Sequence, residues 1–299
     1  MPRKPKLVLA TLAAFAGILA ALLSIAVVLG ERKRARTVEV RVVPVAFVKD
    51  AAALKLGRYL FESRGCAECH GADGRGKVVI DAPNGFHVRS PDITPGGAAG
   101  RYSEADWVRA VRHGVSPEGH ALMVMPSEDY NRLSDPDLAA LVAYARSLPP
   151  GPGTAAELRL PLVLKALYGL GKIQDAAEKI DHRLPPAQPV AVGVTVEHGG
   201  YVAQLCKGCH GENYSGGPVP GGPPDWPPAS NLTPGEGTVM KRYDTHDKFA
   251  AMLRTGKRPD GSDVNRAMPF ETLRALNDTD VEALYAFLTT LPPRSYGRR

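Results

Sequence analysis

Outside two short clusters this chain has no cysteine at all. The four it contains form Cys66-Ala67-Glu68-Cys69-His70 and Cys206-Lys207-Gly208-Cys209-His210. A second shortage concerns charge. The 299 residues carry a net +6, yet the surplus is missing from the body of the protein. Residues 51–150 hold eleven basic and twelve acidic side chains, and residues 191–293 hold nine and twelve. The excess lies instead in residues 1–50, with nine Lys/Arg against three Asp/Glu, and in the three arginines of 294–299. Nucleic-acid recognition needs its Lys/Arg gathered on the recognition module, so that class is excluded. Against these shortages, 31 glycines and 27 prolines exceed average usage and point to loop-rich domains. The length suffices for two modest domains, each burying its own core.

Residues Leu7 to Gly30 form a run of 24 without a charge, behind Arg3, Lys4 and Lys6. As a helix this run is about 36 Å long, enough to cross a hydrocarbon layer of about 30 Å. It exceeds the roughly 7–15 apolar residues of a secretory signal and lacks a small-x-small cleavage site. It therefore predicts an uncleaved transmembrane anchor. Arg32, Lys33, Arg34 and Arg36 follow the span, so the distribution of positive charge gives no decisive orientation.

Aligning the cysteines exposes an internal repeat. One copy opens on Gly57-Arg58-Tyr59 and the other on Gly199-Gly200-Tyr201. Each then reaches Cys-x-x-Cys-His-Gly, a Thr-Pro pair (Thr94-Pro95, Thr233-Pro234), a helical stretch around Trp107 or Phe249, and Met-Pro (Met125-Pro126, Met268-Pro269). From Met-Pro onward the copies align without a gap and close on Leu148-Pro149-Pro150 and Leu291-Pro292-Pro293. Ser134 and Asn277 are placed to N-cap the last helix of each copy, ahead of an acidic first turn (Asp135 and Asp137; Asp278 and Asp280). Leu138, Leu141, Val142 and Ala145 make its apolar stripe, and the proline pair stops it. The predicted organisation is an anchor and juxtamembrane segment over 1–49, a first domain over 50–150, a linker over 151–190 and a second domain over 191–299. The linker carries an apolar helical piece near Leu162–Ile173 and is expected to pack over one or both domains.

Cys-x-x-Cys-His is the attachment signature of c-type haem: two thiols form thioethers with the haem vinyl groups, and the adjacent histidine reaches the iron. One Cys₄ zinc site is disfavoured because the two pairs stand 140 residues apart in copies of one unit. A redox dithiol needs no histidine directly after it. The expected cofactors are thus two covalent haems, held by Cys66, Cys69, Cys206 and Cys209, with His70 and His210 as proximal iron ligands. Met125 and Met268 are the candidate distal ligands, because they occupy the same place in both copies and thioether ligation is the cytochrome c arrangement. Met123 is a rival to Met125 with no counterpart in the second copy. Met240 and Met252 read as packing residues.

At these residues the sequence resembles class I cytochrome c, repeated twice behind one membrane anchor. It is similar in particular to the haem domains of membrane-anchored cytochrome subunits serving bacterial periplasmic dehydrogenases, although those usually carry three haem motifs. The resemblance covers roughly residues 50–150 and 191–293. It implies a mainly α fold with three main helices per domain wrapped round the haem, and Gly57 allowing close approach to the last helix near Tyr144. It also implies a backbone carbonyl before Thr-Pro, at Pro91 and Ser230, that accepts from the haem-ligating histidine. Function follows as an expectation: electron transfer between a donor and an acceptor, with a redox protein or a membrane respiratory, dehydrogenase or photosynthetic complex as partner. Because c-type haem is attached on the outer side in bacteria, the haem domains are expected in the periplasm, on an inner-membrane anchor. The alternatives are a peroxidase-like dihaem enzyme or a haem-based sensor. Two filled axial positions per iron argue against catalysis at the metal, and no cysteine remains for a thiolate-ligated enzymatic site.

Overall fold

A computed structural model describes residues 4–220, 222 and 225–298; Arg3, ahead of the apolar span, lies outside them. Helix α1 (Lys4–Arg34) contains the uncharged run. Its stretch from Val8 to Arg34 has a mean hydropathy of 2.7, and Leu9, Leu12, Phe15 and Leu22 project from it without cover. By length and composition the helix can cross a bilayer.

The chain then runs extended along the first domain, where Val42, Val45 and Phe47 pack on its core. The guanidinium of Arg146 stacks on the Phe47 ring at 3.9 Å. That domain is built from α2 (Ala51–Ser63), α3 (Cys66–His70), α4 (Glu104–His113), α5 (Ser127–Tyr130) and α6 (Asp135–Ser147). Local chemistry fixes the ends. Ser103 and Asp106 form a capping box at the start of α4, and Gly114 closes it in the left-handed conformation (φ 63°). Ser134 caps α6 through the amide of Asp137. Strands β1 (Val78–Asp81) and β2 (His87–Arg89) pair antiparallel and are joined by β3 (Glu157–Arg159), so a small three-stranded sheet supplements the mainly helical fold. The β-branched run Val78-Val79-Ile80 suits a strand, whereas the third strand β3, which pairs with β2, comes from the linker and is remote in sequence.

The linker adds α7 (Leu162–Gly169) and α8 (Ala176–Lys179). It packs on the first domain: β3 lies beside β2, and the amide of Gly153 donates to Asp92 (2.9 Å). Helix α7 packs instead on α1. The second domain repeats the first with α9 (Val196–Val202), α10 (Lys207–His210), α11 (His246–Thr255), α12 (Phe270–Arg274) and α13 (Asp278–Thr290).

Each core is organised by one close helix crossing. A Cβ added at Gly57 would collide with the Ala140 carbonyl and lie 2.8 Å from Tyr144 Cβ, which puts α2 directly against α6. Gly199 meets the Ala283 carbonyl and Phe287 Cβ in the same way, bringing α9 onto α13. Gly57→Ala and Gly199→Ala are each expected to destabilise the protein by about 1–3 kcal/mol, read as a lower thermal unfolding midpoint. Wild-type stability in either variant would show that the helices separate freely.

The two domains meet across a pseudo-twofold axis. Tyr59 of the first donates to Asp280 (2.6 Å) and accepts from the Asn277 amide (3.2 Å), at the N-terminus of α13. Tyr201 of the second donates to Asp137 and accepts from the Ser134 amide (3.0 Å), at the N-terminus of α6. Among the described residues one side carries more. Arg64 Nη2 and His198 Nε2 also reach Asp280, at 3.1 and 2.8 Å, and all three side chains are buried.

Candidate haem centres

The cysteine motifs head short helices on the faces that the domains turn toward each other. Gly71 and Gly211 follow the histidines at φ 79° and 81°, a left-handed turn that a side chain would strain. The chain folds straight back, so that Gly76 N donates to the His70 carbonyl (2.8 Å) and Gly216 N to the His210 carbonyl (2.9 Å). It then reaches the Thr-Pro loop. There Asp92 Oδ1 accepts from the amide and hydroxyl of Thr94 (2.8 and 2.6 Å), and Asn231 Oδ1 accepts from those of Thr233 (2.9 and 2.8 Å). All four side chains are fully buried, which makes these loops rigid despite their lack of regular structure.

What the loops present is a carbonyl. His70 Nδ1 lies 3.0 Å from Pro91 O, and His210 Nδ1 lies 2.8 Å from Ser230 O. These are the two carbonyls expected from the sequence. A carbonyl only accepts, so Nδ1 carries the proton and the lone pair resides on Nε2, the tautomer that can bind a metal. Burial also holds His70 below the ordinary histidine value, favouring its neutral form.

Met125 packs against the apolar cluster that Cys66 also touches, and Met268 against the one that Cys206 touches. Met123 is outside the first of these clusters. Met240 and Met252 are core residues of the second domain. In that domain an open cleft of about 660 Å³ lies between Pro227, on the approach to Ser230, and residues 263–266, on the approach to Met268.

The donor set fits haem c. The four cysteines are not joined in disulfides. Burial, with the neighbouring Cys69 adding to it, pushes the Cys66 thiol up to about 12; burial and Cys209 do the same for Cys206. Burial of this kind favours the neutral thiol. The Trp107 indole N–H is buried without a hydrogen-bond acceptor, which an acidic side arm of a haem would satisfy.

The family of cytochrome c matches residues 54–149 and again 197–292. The chain belongs to the cytochrome c family. Over 269 residues it is 28% identical to the fructose dehydrogenase cytochrome subunit of Gluconobacter japonicus, covering 81% of this chain and 53% of that one. A dihaem c-type cytochrome of Cereibacter sphaeroides is 26% identical over 267 residues, covering 79% of this chain and 85% of that one. The gluconate 2-dehydrogenase cytochrome c subunit of Pantoea cypripedii is 38% identical over 100 residues, 31% of this chain and 22% of that one. The chain thus spans about half the length of the fructose dehydrogenase subunit, and less of the gluconate one. Two cytochrome c domains, each with its Cys-x-x-Cys-His, make this a dihaem cytochrome with two covalently bound haems c.

The surroundings of the two motifs differ in ways the repeat does not reveal. Glu68, inside the first cytochrome motif, accepts from the Thr272 amide of the second domain (2.9 Å). The equivalent position of the second motif is Gly208, and Asp129 of the first domain is pressed against it. Burial pushes the Asp129 carboxyl up to about 7, and Glu128 adds to the rise. A carboxyl raised from 3.8 to about 7 by folding binds its proton more tightly in the native state. Its contribution is therefore intact at acid pH and lost as pH climbs through that interval. Raising the pH from 4 to 8 is expected to remove up to about 4 kcal/mol of stability, and Asp129→Asn to flatten that slope. Parallel pH profiles for variant and wild type in chemical denaturation would contradict this.

Proposed function

We propose that this cytochrome is a membrane-anchored, two-haem electron relay of the periplasm, and not a catalyst. In this reading His70 and Met125 ligate the first iron, and His210 and Met268 the second. The bound haems supply one-electron exchange between ferric and ferrous iron. The protein's part is to fix the histidine tautomers through Pro91 and Ser230, to shield both centres with apolar cores, and to hold the two domains in one register. The observation that carries the proposal is duplication of the whole ligand frame, with both motif helices facing one interface. Four axial ligands leave no coordination site at which a substrate would be turned over.

The anchor places the relay beside a membrane redox partner. Because two of the three relatives named above are cytochrome subunits of fructose and gluconate dehydrogenases, a dehydrogenase is the favoured donor. In native membranes the protein is expected to co-purify with such a complex and to become reduced when its substrate is added. The isolated ferric protein is expected to be entirely low-spin by electron paramagnetic resonance. A resting high-spin haem that reacts with peroxide would replace the relay by a peroxidase.

A further inference from the structure

The linker helix α7 has its small and polar groups committed to α1. At their crossing two glycines meet: a Cβ on Gly30 would strike the Lys165 carbonyl, and one on Gly169 would strike the Ala26 carbonyl. Around this contact two of the four basic residues that follow the span, Lys33 and Arg36, are held by the linker, while Arg34 pairs with Glu31 of α1 (3.1 Å). Lys33 pairs with Glu178 (2.8 Å) and donates to the Tyr168 carbonyl (3.2 Å); Arg36 pairs with Asp175 (2.7 Å) and donates to the Tyr168 hydroxyl (2.7 Å). Lys165 returns a pair to Glu31 (2.6 Å). Tyr168 and Asp175 are buried by these contacts, so α7 is fixed to the end of the anchor.

The remaining face of α7 is apolar. Val163, the half-buried Leu167 and Leu170 at the C-cap fall at i, i+4 and i+7, one side of the helix. Leu162, Val163 and Leu170 are 60%, 62% and 58% exposed, values usual for residues in a lipid-facing span and not for a protein core. On α1, Leu22, Ile25 and Leu29, which lie at or just before the Ala26–Gly30 crossing in sequence, are exposed as well. Its depth follows from the glycine contact. Gly169 sits at the level of Ala26, four residues inside the last uncharged position of the span, which is about 6 Å along a helix axis. An interfacial helix buries its apolar face by about 5–10 Å.

We infer that α7 is a second membrane element: a short helix embedded in the outer leaflet beside α1, with Val163, Leu167 and Leu170 among the acyl chains. Lys172, just beyond Leu170 and exposed, extends back to the headgroups. The chain thus touches lipid twice, 130 residues apart in sequence, and the first cytochrome domain is held against the bilayer at both ends of its fold. This inference rests on the reading of α1 as a retained anchor.

All native cysteines are consumed by haem, so a single added cysteine takes a spin label uniquely. The full-length holoprotein is labelled in turn at Leu22→Cys, Val163→Cys, Leu170→Cys and Val192→Cys in phosphatidylcholine–phosphatidylglycerol vesicles. Collision with oxygen, which concentrates in lipid, is compared with collision with a water-soluble nickel chelate. Val192, 73% exposed at the start of the second domain, is the aqueous reference, and Leu22 the lipid reference. Labels at 163 and 170 are expected to give oxygen-to-nickel ratios several-fold above that at 192 and close to that at 22. Ratios at 163 and 170 equal to that at 192, with 22 still in lipid, overturn the embedded helix and leave the anchor intact. An aqueous ratio at 22 overturns the anchor itself. Low collision with both reagents at 163 and 170 means that a second copy covers the face, and also overturns the inference.

Discussion

Alanine at Met268 is expected to turn one haem of the resting ferric protein high-spin and to leave the other unchanged. The near-red absorption that sulfur ligation gives ferric haem falls by half in Met268→Ala, by half in Met125→Ala, and disappears in the double variant. The physical ground is that a neutral thioether stabilises ferrous over ferric iron, so its loss favours the oxidised state. With axial ligands setting haem potentials over a range of about 0.8 V, the affected haem is expected to drop by on the order of 0.1 V. That change is equivalent to about 2.3 kcal/mol per electron, enough to stall one step of a relay. A titration of each variant reads it directly. A Met125→Ala protein that keeps both sulfur-ligated haems would move the first assignment to Met123, two residues away.

The second large effect is expected at the domain interface. Asp280 accepts from Tyr59, Arg64 and His198 together, and the Arg64 and Asp280 side chains are 8% and 3% exposed. Burial alone would raise the Asp280 carboxyl, but Arg64 and the donated hydrogen bonds outweigh it and hold the carboxyl below its ordinary value. Asp280→Ala leaves a buried guanidinium without its counter-ion and is expected to cost about 3–5 kcal/mol. Asp137→Ala, its counterpart across the pseudo-dyad, removes one tyrosine bond and is expected to cost about 1.5–3 kcal/mol. Comparing the two holoproteins in guanidinium titrations tests the asymmetry; equal losses would mean that Arg64 adds nothing. The pH dependence runs opposite to that of Asp129. A carboxyl depressed by folding stabilises above its unfolded value, and that stabilisation is lost as pH falls through the lowered one. Asp280 thus limits the interface in acid, and Asp129 limits it toward neutrality and above.

Much of each haem frame was legible in the sequence because its determinants recur at fixed places in both copies. Cysteine motif, Thr-Pro loop, Met-Pro and the capped last helix are local signals, and the repeat supplies a second reading of each. Gly57 and Gly199 were legible for the same reason. What could not be read depends on how separate parts come together. Lone histidines carry no such signal, and His198 became meaningful only when the second domain swung Asp280 to 2.8 Å from it. Asp137 and Asp280 suit the positive end of a helix dipole, and that sufficient local reason concealed their bonds to tyrosines of the other domain. The tyrosines themselves recur in the repeat, a signal that could have been followed. The linker offered no repeat at all, so neither β3 nor the seat of α7 on the anchor could be assigned from residues 151–190 alone.

The crossed tyrosine–aspartate pairs have one more consequence. Residue i of one half meets residue j of the other, and j meets i, which is the rule of an isologous contact in a C2 dimer. Each half of the chain therefore carries both members of the exchange, Tyr59 with Asp137 in one and Tyr201 with Asp280 in the other. Joined in one polypeptide, the halves saturate each other and leave no such surface open. Severed from its sister, either half would be its own complement, and would meet a copy of itself with the same handshake.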